Sequence, residues 1–522
     1  MPPAIILSTL NAKFIHVSLG LRYLLANLAR HGGADLREQT VLREFTIARP
    51  VPEIVDALLG ELGDPDDGAV QVIGFGVYIW NVVPTTEVVR RLKEARPALK
   101  IVLGGPEVSY EWEDQEIVRL ADHLITGWGD VSFPKLCRAL LHGPRPLMKV
   151  ITGEQLALAD IDLPYAEFRA DDLAQRLLYV EASRGCPFKC EFCLSALDKT
   201  AWAFDQARFL AALESLYQRG ARNFKFVDRT FNLKIDSSLA ILQFFLDRLT
   251  PDLFLHFEVI PDHLPERLKE MIAHFPPGVL QFEIGIQTFN PQVQQAISRR
   301  QDNDKTCENI HWLVNQSHAH LHTDLIFGLP GETLASFAAG FDRLYALRPH
   351  EIQLGVLKRL RGTPIVRHSA ASGMVYDAKA PYTVRQTAAV DAPTVQRFTR
   401  LARYWDLIAN SGRFPQTLSR LLAVPSPFAA FLAFADWLWN STAQTSRLTP
   451  ENLVDALFVY LTDLMGVEAD GVRQSLLADY QSSGARGNPA CLKGLLSDRA
   501  DPLPRAARAL ALRQDRHGGT LG

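Results

Sequence analysis

The chain has 522 residues, enough for about three domains of ordinary size. Hydrophobic residues make up 47% of it, so substantial cores are expected, and a net charge of −3 gives no overall attraction for nucleic acid. Its six cysteines do not form the pattern of a secreted disulfide framework. Neither a signal peptide nor an uncharged apolar run of ~20 residues is evident, so a cytoplasmic location without a membrane span is expected.

The first 142 residues alternate short apolar runs with amphipathic helical stretches. This alternation predicts an α/β domain built on a doubly wound parallel sheet. Ligands of such sheets bind beyond the carboxyl ends of the strands. The predicted strands are 4–7, 40–45, 70–77, 100–103 and 123–126, and the predicted helices include 18–30, 52–62 and 84–95.

Glycines follow the last three of these strands. Glycine lets the backbone approach a bulky ligand closely, although each pair alone would also fit an ordinary tight turn. These candidate ligand-binding residues are Gly74, Gly76, Gly104, Gly105, Gly127 and Gly129.

Three cysteines follow the apolar run 177–182 with the spacing C-x3-C-x2-C: Cys186, Cys190 and Cys193. Thiolates are the usual protein ligands of iron–sulfur clusters. Three of them on one loop can hold three irons of a four-iron cluster and leave the fourth iron open. The alternatives are a structural zinc site, a redox pair or buried thiols. Zinc would need a fourth Cys or His at a regular spacing, and none follows nearby.

After this loop, strand and helix patterns continue to about residue 365. Together with the strand before the loop they predict six strand–helix units. The later strands are expected at 223–227, 253–259, 279–286, 320–327 and 351–357, and the helices include 205–219, 236–249, 265–273 and 334–347.

The cysteine loop and the glycine turns together resemble the cobalamin-dependent radical S-adenosylmethionine (SAM) enzymes. Phe192, directly before the last cysteine, matches the aromatic residue common there. The resemblance implies a partial (β/α)6 barrel for the central domain. It also implies three cofactors: a [4Fe-4S] cluster on the three cysteines, SAM and cobalamin.

Several later motifs match the same family. Phe226–Phe231 resembles its second-strand turn, with Arg229 in place of an acid, and Leu360–Pro364 resembles its terminal Pro-Gly-Thr-Pro turn. The strand with Glu258, the E-x-G-x-Q-[ST] motif from Glu283 and the D-[LI]-I-x-G-L-P-G-E motif from Asp324 complete the set. The SAM-binding residues implied by the resemblance are Phe192, Glu258, Glu283, Gln287, Asp324 and Gly328.

On the cobalamin side, the resemblance implies a second set of site residues. Gly104–Glu107 matches a Gly-Gly-Pro-His turn with Glu107 in place of histidine, and Gly127–Asp130 matches a Gly-Glu-Gly-Glu turn in part. The set comprises Asn11, Gly74, Gly76, Gly104, Gly105, Pro106, Glu107, Gly127 and Gly129. The D-x-H-x-x-G motif of other cobalamin proteins is absent. His16 is therefore expected to be a polar loop residue or a contact to the corrin side chains rather than a cobalt ligand.

The proposed division of the chain has five parts: a cobalamin-binding domain (1–142), a linker (143–169), a radical SAM core (170–365), an all-α region (366–498) and a mildly basic tail (499–522). The tail is expected to be frayed. The helical stretches of the fourth part are predicted at 394–408, 416–422, 428–440, 450–465 and 472–480. Its Trp-rich stretch 435–439 is expected to pack in a core. This region resembles a helical extension found on a subgroup of the same family.

The resemblance implies an enzyme, most simply a methyltransferase that acts on an unactivated carbon or phosphorus centre through a 5′-deoxyadenosyl radical and methylcobalamin. A cyclase or oxidase of the anaerobic porphyrin-ring-cyclising type is the alternative, and a non-catalytic cobalamin or redox sensor is a third. Expected partners are a small-molecule or peptide substrate and an electron donor such as flavodoxin or ferredoxin. Neither a membrane nor a nucleic acid is expected as a partner.

Overall fold

The computed structural model describes residues 2–64 and 68–496. They form two compact units. The first contains the residues up to Arg229 together with Lys358–Val366 and Asp377–Tyr382. The second contains Thr230–Leu357, Arg367–Tyr376 and the described residues from Thr383 onward. The predicted tail 499–522 lies outside the described residues.

The first unit opens with a six-stranded parallel sheet in the order β2-β1-β3-β4-β5-β6. Its strands are β1 (Ile5–Asn11), β2 (Thr40–Thr46), β3 (Val72–Gly76), β4 (Lys100–Gly104), β5 (His123–Thr126) and β6 (Val150–Thr152). The helices are α1 (Leu19–Gly32), α2 (Ala34–Glu38), α3 (Val51–Leu59), α4 (Val82–Ala95), α5 (Glu116–Leu120) and α6 (Ser132–His142). All seven residues of β1 are buried, and one hydrophobic cluster lies on each side of the sheet. This confirms the predicted doubly wound α/β domain.

The strand β6 lies in the stretch that the sequence had suggested as a linker. Its three residues form the edge of the sheet, and none of them is buried. A short exposed edge strand carries little of the apolar pattern by which buried strands are recognised. The first sheet therefore extends beyond the predicted boundary at residue 142.

The rest of the first unit carries the cysteine loop. Its elements are α7 (Ala170–Gln175), β7 (Leu178–Val180), β8 (Ser183–Arg184), β9 (Trp202–Ala203), α8 (Gln206–Gln218) and β10 (Asn223–Phe226). Strands β7 and β10 are parallel neighbours, whereas β8 and β9 pair in antiparallel fashion across the base of the loop. The sequence did not predict this two-residue clasp.

The second unit contains the next four predicted strands, which pair in parallel in the order β11-β12-β13-β14. The elements are α9 (Ile235–Leu246), β11 (Phe254–Val259), α10 (Glu266–Ala273), β12 (Leu280–Gln287), α11 (Pro291–Ala296), α12 (Asn303–Gln316), β13 (His320–Phe327), α13 (Leu334–Ala346) and β14 (Glu351–Val356). Helices follow the strands here as the sequence predicted, so the central α/β pattern is also confirmed.

Beyond β14 the second unit is mainly helical. It contains β15 (Val375–Tyr376), β16 (Val384–Gln386), α14 (Ala392–Ile408), α15 (Pro415–Leu421), α16 (Pro427–Thr442), α17 (Pro450–Val459) and α18 (Ala469–Ser482). Asn410, just after α14, exchanges two hydrogen bonds of 3.0 Å with the backbone of Ile352 in β14. The side chain of Trp437 packs against Tyr460, with 5.2 Å between ring centroids. Among the described residues, no helix is both long enough and apolar enough to cross a membrane.

Candidate functional site

A cavity of about 300 Å³ lies at the carboxyl edge of the first sheet. All six predicted glycines line it: Gly74, Gly76, Gly104, Gly105, Gly127 and Gly129. The remaining lining is largely apolar and includes Leu19 and Leu24 from α1. Gly105 has φ +110°, and a Cβ there would overlap the backbone of Val77. A cradle of bare backbone and apolar side chains fits a bulky, partly apolar ligand such as the tail of cobalamin.

Three other predicted cobalamin-binding residues, Asn11, Pro106 and Glu107, do not line this cavity. The Asn11 amide donates hydrogen bonds to Glu44 Oε1 (2.9 Å) and to the backbone carbonyl of His16 (3.0 Å). Glu107 is buried and accepts hydrogen bonds from two other side chains that are described below. Direct contact of these residues with cobalamin stays a prediction.

His16 also has a protein partner. Its Nδ1 lies 2.8 Å from the hydroxyl of Tyr179, the middle residue of β7. Burial lowers the pKa of His16, and the positive charges of Lys225 and Lys13 lower it further. The surroundings of His16 thus disfavour the charged imidazolium, and one ring nitrogen already contacts the tyrosine hydroxyl.

Sequence reasoning missed the role of Arg184, which lines the cavity two residues before the first cysteine. Its guanidinium binds both carboxylate oxygens of Asp130 (2.8 and 3.1 Å) and Oε1 of Glu181 (2.8 Å). It also lies over the rings of Tyr23 and Trp128, at 4.3 and 4.9 Å from their centroids. A bidentate ion pair of this kind holds the two side chains in one relative orientation. The turn after β5 and the start of the cysteine loop are therefore locked together at the cavity wall.

The cysteine loop itself, residues 185–201, is closed by backbone hydrogen bonds. The amide of Cys186 donates to the carbonyl of Asp198 (3.0 Å), and the amide of Cys193 donates to the carbonyl of Cys190 (3.1 Å). Cys186 is buried, Cys190 and Cys193 are half-buried, and none of the three forms a disulfide. Burial raises the pKa of Cys186. A bound metal would have to displace this proton, as metal centres do with thiol ligands.

The zinc and cluster alternatives differ in how closely their ligands must approach one another. Within the described parts of the chain, no three Cys, His, Asp or Glu side chains converge closely enough to hold one metal ion. A mononuclear zinc site requires such convergence, because all its ligands bind the same ion at 2.0–2.3 Å. A four-iron cluster places each thiolate on a different iron, so the thiolates stand further apart. Three cysteines on one loop are a donor set that such a cluster can use.

Asp228 anchors the entrance to the cysteine loop from the end of β10. Its Oδ2 accepts a hydrogen bond from the Ala182 amide (2.9 Å), and its Oδ1 accepts one from the Ser183 hydroxyl (2.5 Å). The residue is only 4% exposed. Burial raises the pKa of Asp228 to about 7. This carboxyl group, part of the predicted second-strand motif, therefore holds the residues that lead into the cysteine loop through two hydrogen bonds.

In the second unit, the structure brings the predicted SAM-binding residues of β11, β12 and β13 together. Glu258 lies opposite Glu283 in the parallel register, and Gly285 lies opposite Asp324. Glu283 Oε2 is 3.0 Å from His256 Nε2. Register partners project to the same side of a sheet, and carboxylates there would suit an ammonium group and hydroxyls.

Gln287 occupies an irregular point of this face. It has φ +70°, uncommon for a residue other than glycine, and the register of β12 and β13 shifts between Gly285 and Gln287. Its Oε1 is buried and has no hydrogen-bond partner among the residues that the structure describes. A buried unsatisfied acceptor requires an explanation, and a ligand donor supplies one. The side chain thus fits the predicted contact to a SAM hydroxyl.

The remaining two predicted SAM-binding residues, Gly328 and Phe192, belong to other segments of the chain. Gly328 follows β13 directly and lies against Val384. Phe192 is half-buried in the cysteine loop of the first unit. Their roles toward SAM stay predictions.

Comparison with known proteins assigns the domains. Residues 6–137 match the family model of the B12 binding domain, and residues 180–344 match that of the radical SAM superfamily. Residues 371–501 match a third model, described as a protein of unknown function (DUF4080).

Curated relatives are distant. The 2-(S-pantetheinyl)-carbapenam-3-carboxylate methyltransferase of Streptantibioticus cattleyicolor is 25% identical over 57% of this chain and 47% of its own length. The cobalamin-dependent radical SAM methyltransferase TokK of Streptomyces tokunonensis is 25% identical over 60% of this chain and 49% of its own. The chain thus spans about half the length of these two relatives.

Among solved structures, the radical SAM methyltransferase TsrM of Kitasatospora setae, with cobalamin and a [4Fe-4S] cluster bound, shares the fold. Its TM-score is 0.57 at 13% identity, with 92% of this chain and 100% of TsrM covered. The radical SAM and B12-binding domains imply three cofactors: a [4Fe-4S] cluster, SAM and cobalamin. The glycine-lined cavity, the three loop cysteines and the unsatisfied Gln287 acceptor fit them. The chain thus carries a B12-binding domain followed by a radical SAM domain.

Proposed function

We propose that the protein is a cobalamin-dependent radical SAM methyltransferase that acts on an unactivated carbon or phosphorus centre. The observation that carries the proposal is that the cysteine loop begins directly beside the glycine-lined cavity. Arg184 belongs to that wall and stands two residues before Cys186. A single compact unit thus contains both the cradle for cobalamin and the thiols for the cluster.

The chain's own residues would bind and orient the reactants. The six glycines leave room for cobalamin at the sheet edge, and the Arg184–Asp130 pair keeps that edge fixed to the cysteine loop. Gln287 Oε1 would accept a hydrogen bond from a SAM hydroxyl, while Glu258 and Glu283 would attract its ammonium group. When bound, the cluster supplies the electron that cleaves SAM and cobalamin carries the methyl group. Holding reactants at reacting distance is where a protein contributes most to such chemistry.

The relatives support methyl transfer over the alternatives. Two matched proteins that cover more than half of this chain are named methyltransferases. The coproporphyrinogen III oxidases that match, such as that of Paracoccus denitrificans, cover only 19% of it at 28% identity. We propose a small molecule or a peptide as the substrate, and a flavodoxin- or ferredoxin-like protein as the electron donor.

The test is a product ratio. The reconstituted protein is incubated anaerobically with a reductant, cobalamin and SAM carrying a deuterated methyl group, with and without fractions of a cell extract as the substrate source. A methyltransferase of this kind consumes two SAM molecules per turnover, so S-adenosylhomocysteine and 5′-deoxyadenosine should rise together in about equal amounts, and the deuterated methyl should appear in a product. 5′-Deoxyadenosine without matching S-adenosylhomocysteine would indicate a cyclase or oxidase instead. No extract-dependent product at all would favour a sensor.

A further inference from the structure

Residues 358–366, called here the bridge segment, follow β14 in the sequence yet pack within the first unit. There they contact the turn that continues from Gly104 and Gly105 of the cavity. Arg361 Nε lies 3.0 Å from Glu107 Oε1, and Arg361 Nη1 donates to the carbonyl of Glu111 (3.1 Å). Arg359 Nη2 donates to Glu111 Oε2 (2.7 Å). Two arginines of the bridge segment thus bind two acids of the turn.

Glu107 is the buried centre of this contact. Its side chain is 3% exposed, and the oxygen that binds Arg361 also accepts a hydrogen bond of 2.7 Å from the hydroxyl of Tyr382. Burying a carboxylate costs folding free energy unless the group is paired and hydrogen-bonded. Loss of either partner would therefore leave a buried charge without full compensation. Each of the two turns departs from the pattern that it resembles at one position. Glu107 stands where the Gly-Gly-Pro-His pattern has histidine, and Arg361 stands where the Pro-Gly-Thr-Pro pattern has its first proline.

The backbone of the bridge segment also lies close to the turn, in addition to the ion pairs between their side chains. Gly362 has φ +78°, and its amide donates to Glu111 Oε1 (3.1 Å). A Cβ at this position would overlap the ring of Tyr110. The backbone of the bridge segment therefore lies directly on the turn, and only glycine permits both the conformation and the approach.

The other end of the bridge segment reaches the cysteine loop. The amide of Ile365 donates to the carbonyl of Glu191 (3.0 Å), a residue between Cys190 and Cys193. Ile365 is fully buried. The five residues from Arg361 to Ile365 therefore connect the cobalamin-side turn with the loop that carries the thiols.

We propose that the bridge segment is a positioning element that fixes the cobalamin-side turn relative to the cysteine loop, and that Glu107 acts on cobalamin binding through Arg361 rather than by contact with the cofactor. The inference rests on the proposed function only in taking the glycine-lined cavity as the cobalamin site. It does not require methyl transfer, so it can fail while the proposed function stands.

The test measures two properties of the full-length protein that do not depend on turnover. The first is the dissociation constant of cobalamin, from absorbance titration of the cluster-loaded protein. The second is the rate at which Cys190 and Cys193 react with iodoacetamide in the cluster-free protein. The variants are Glu107→Ala, Arg361→Ala, their double mutant and Gly362→Ala. Glu113→Ala, an exposed glutamate in the same turn region, is the matched control.

We expect each single variant to weaken cobalamin binding about five- to tenfold, as the loss of a hydrogen-bonded charged partner would, and to speed alkylation of both cysteines. The double mutant should be no worse than Glu107→Ala, because one interaction is lost in each case. Glu107→Gln and Tyr382→Phe, which keep the shape, should give smaller effects in the same direction. Wild-type affinity in the singles, additive losses in the double or unchanged alkylation rates would overturn the proposal. So would a loss of iron content or soluble protein with the shape-preserving variants, since the residues would then only stabilise the fold.

Discussion

Replacing Asp228 by asparagine should remove a pH-dependent cost to the stability of the first unit. In the wild type, burial raises the pKa of this carboxyl from 3.8 to about 7. The folded protein therefore keeps the proton over a range in which the unfolded chain has released it. The sign follows from linkage: stability is greatest below pH 3.8 and declines as the pH rises to about 7, where the folded state ionises as well.

The size of the effect follows from the same shift. One pKa unit corresponds to about 1.4 kcal/mol, so the full cost above pH 7 is on the order of 4 kcal/mol. Asparagine avoids this cost and keeps both contacts, because its carbonyl can accept from the Ala182 amide while its NH2 donates to the Ser183 hydroxyl. Between pH 5 and pH 8, the advantage of the variant should grow by roughly 3 kcal/mol, or on the order of 5 °C in unfolding temperature.

The assay is thermal unfolding of the cluster-free protein under anaerobic, reducing conditions at several pH values. Asp171→Asn is the control, because Asp171 is an exposed aspartate of the same unit. It should follow the wild type at every pH. If the unfolding temperatures of Asp228→Asn and the wild type differed by the same amount at pH 5 and pH 8, Asp228 would not be the source of the pH dependence.

Three further predictions concern the cofactors. Replacing the three loop cysteines together by alanine should abolish the binding of about four irons and four sulfides on anaerobic reconstitution. The other cysteines, Cys137, Cys307 and Cys491, should be dispensable for cluster binding. A full cluster in the triple mutant would contradict the assignment. The D-x-H-x-x-G motif is absent, and Tyr179 already contacts His16. The electron paramagnetic resonance spectrum of bound cob(II)alamin should therefore lack nitrogen superhyperfine splitting. Splitting that disappears in His16→Ala would refute this prediction. Gln287→Ala and Asp324→Ala should each weaken SAM binding several-fold, as expected for a lost hydrogen bond of about 1 kcal/mol. Neither variant should change the absorbance spectrum of bound cobalamin. Loss of cobalamin in either variant would contradict the separate roles of the two sites.

Local sequence patterns determined most of the elements of this protein. Strands β1 and β3 are buried on both sides of the sheet, so each contains a short apolar run that the sequence shows. The glycines after the strands could be predicted to line a ligand site, because parallel strands end at one edge of the sheet. The spacing of the three cysteines likewise confines their thiols to one loop. These features depend on neighbours in the chain, and their signal is therefore local.

The tertiary structure alone decided which polar residues meet. Arg184 and Asp130 are 54 residues apart, and Arg361 and Glu107 are 254 residues apart. No periodicity connects such positions, since an arginine in a loop looks the same in the sequence whether it is solvated or buried against a distant acid. The edge strand β6 was missed for a related reason, because its only requirement is backbone pairing with β5. Backbone pairing and long-range ion pairs are satisfied by many sequences, so only the folded chain shows where they occur.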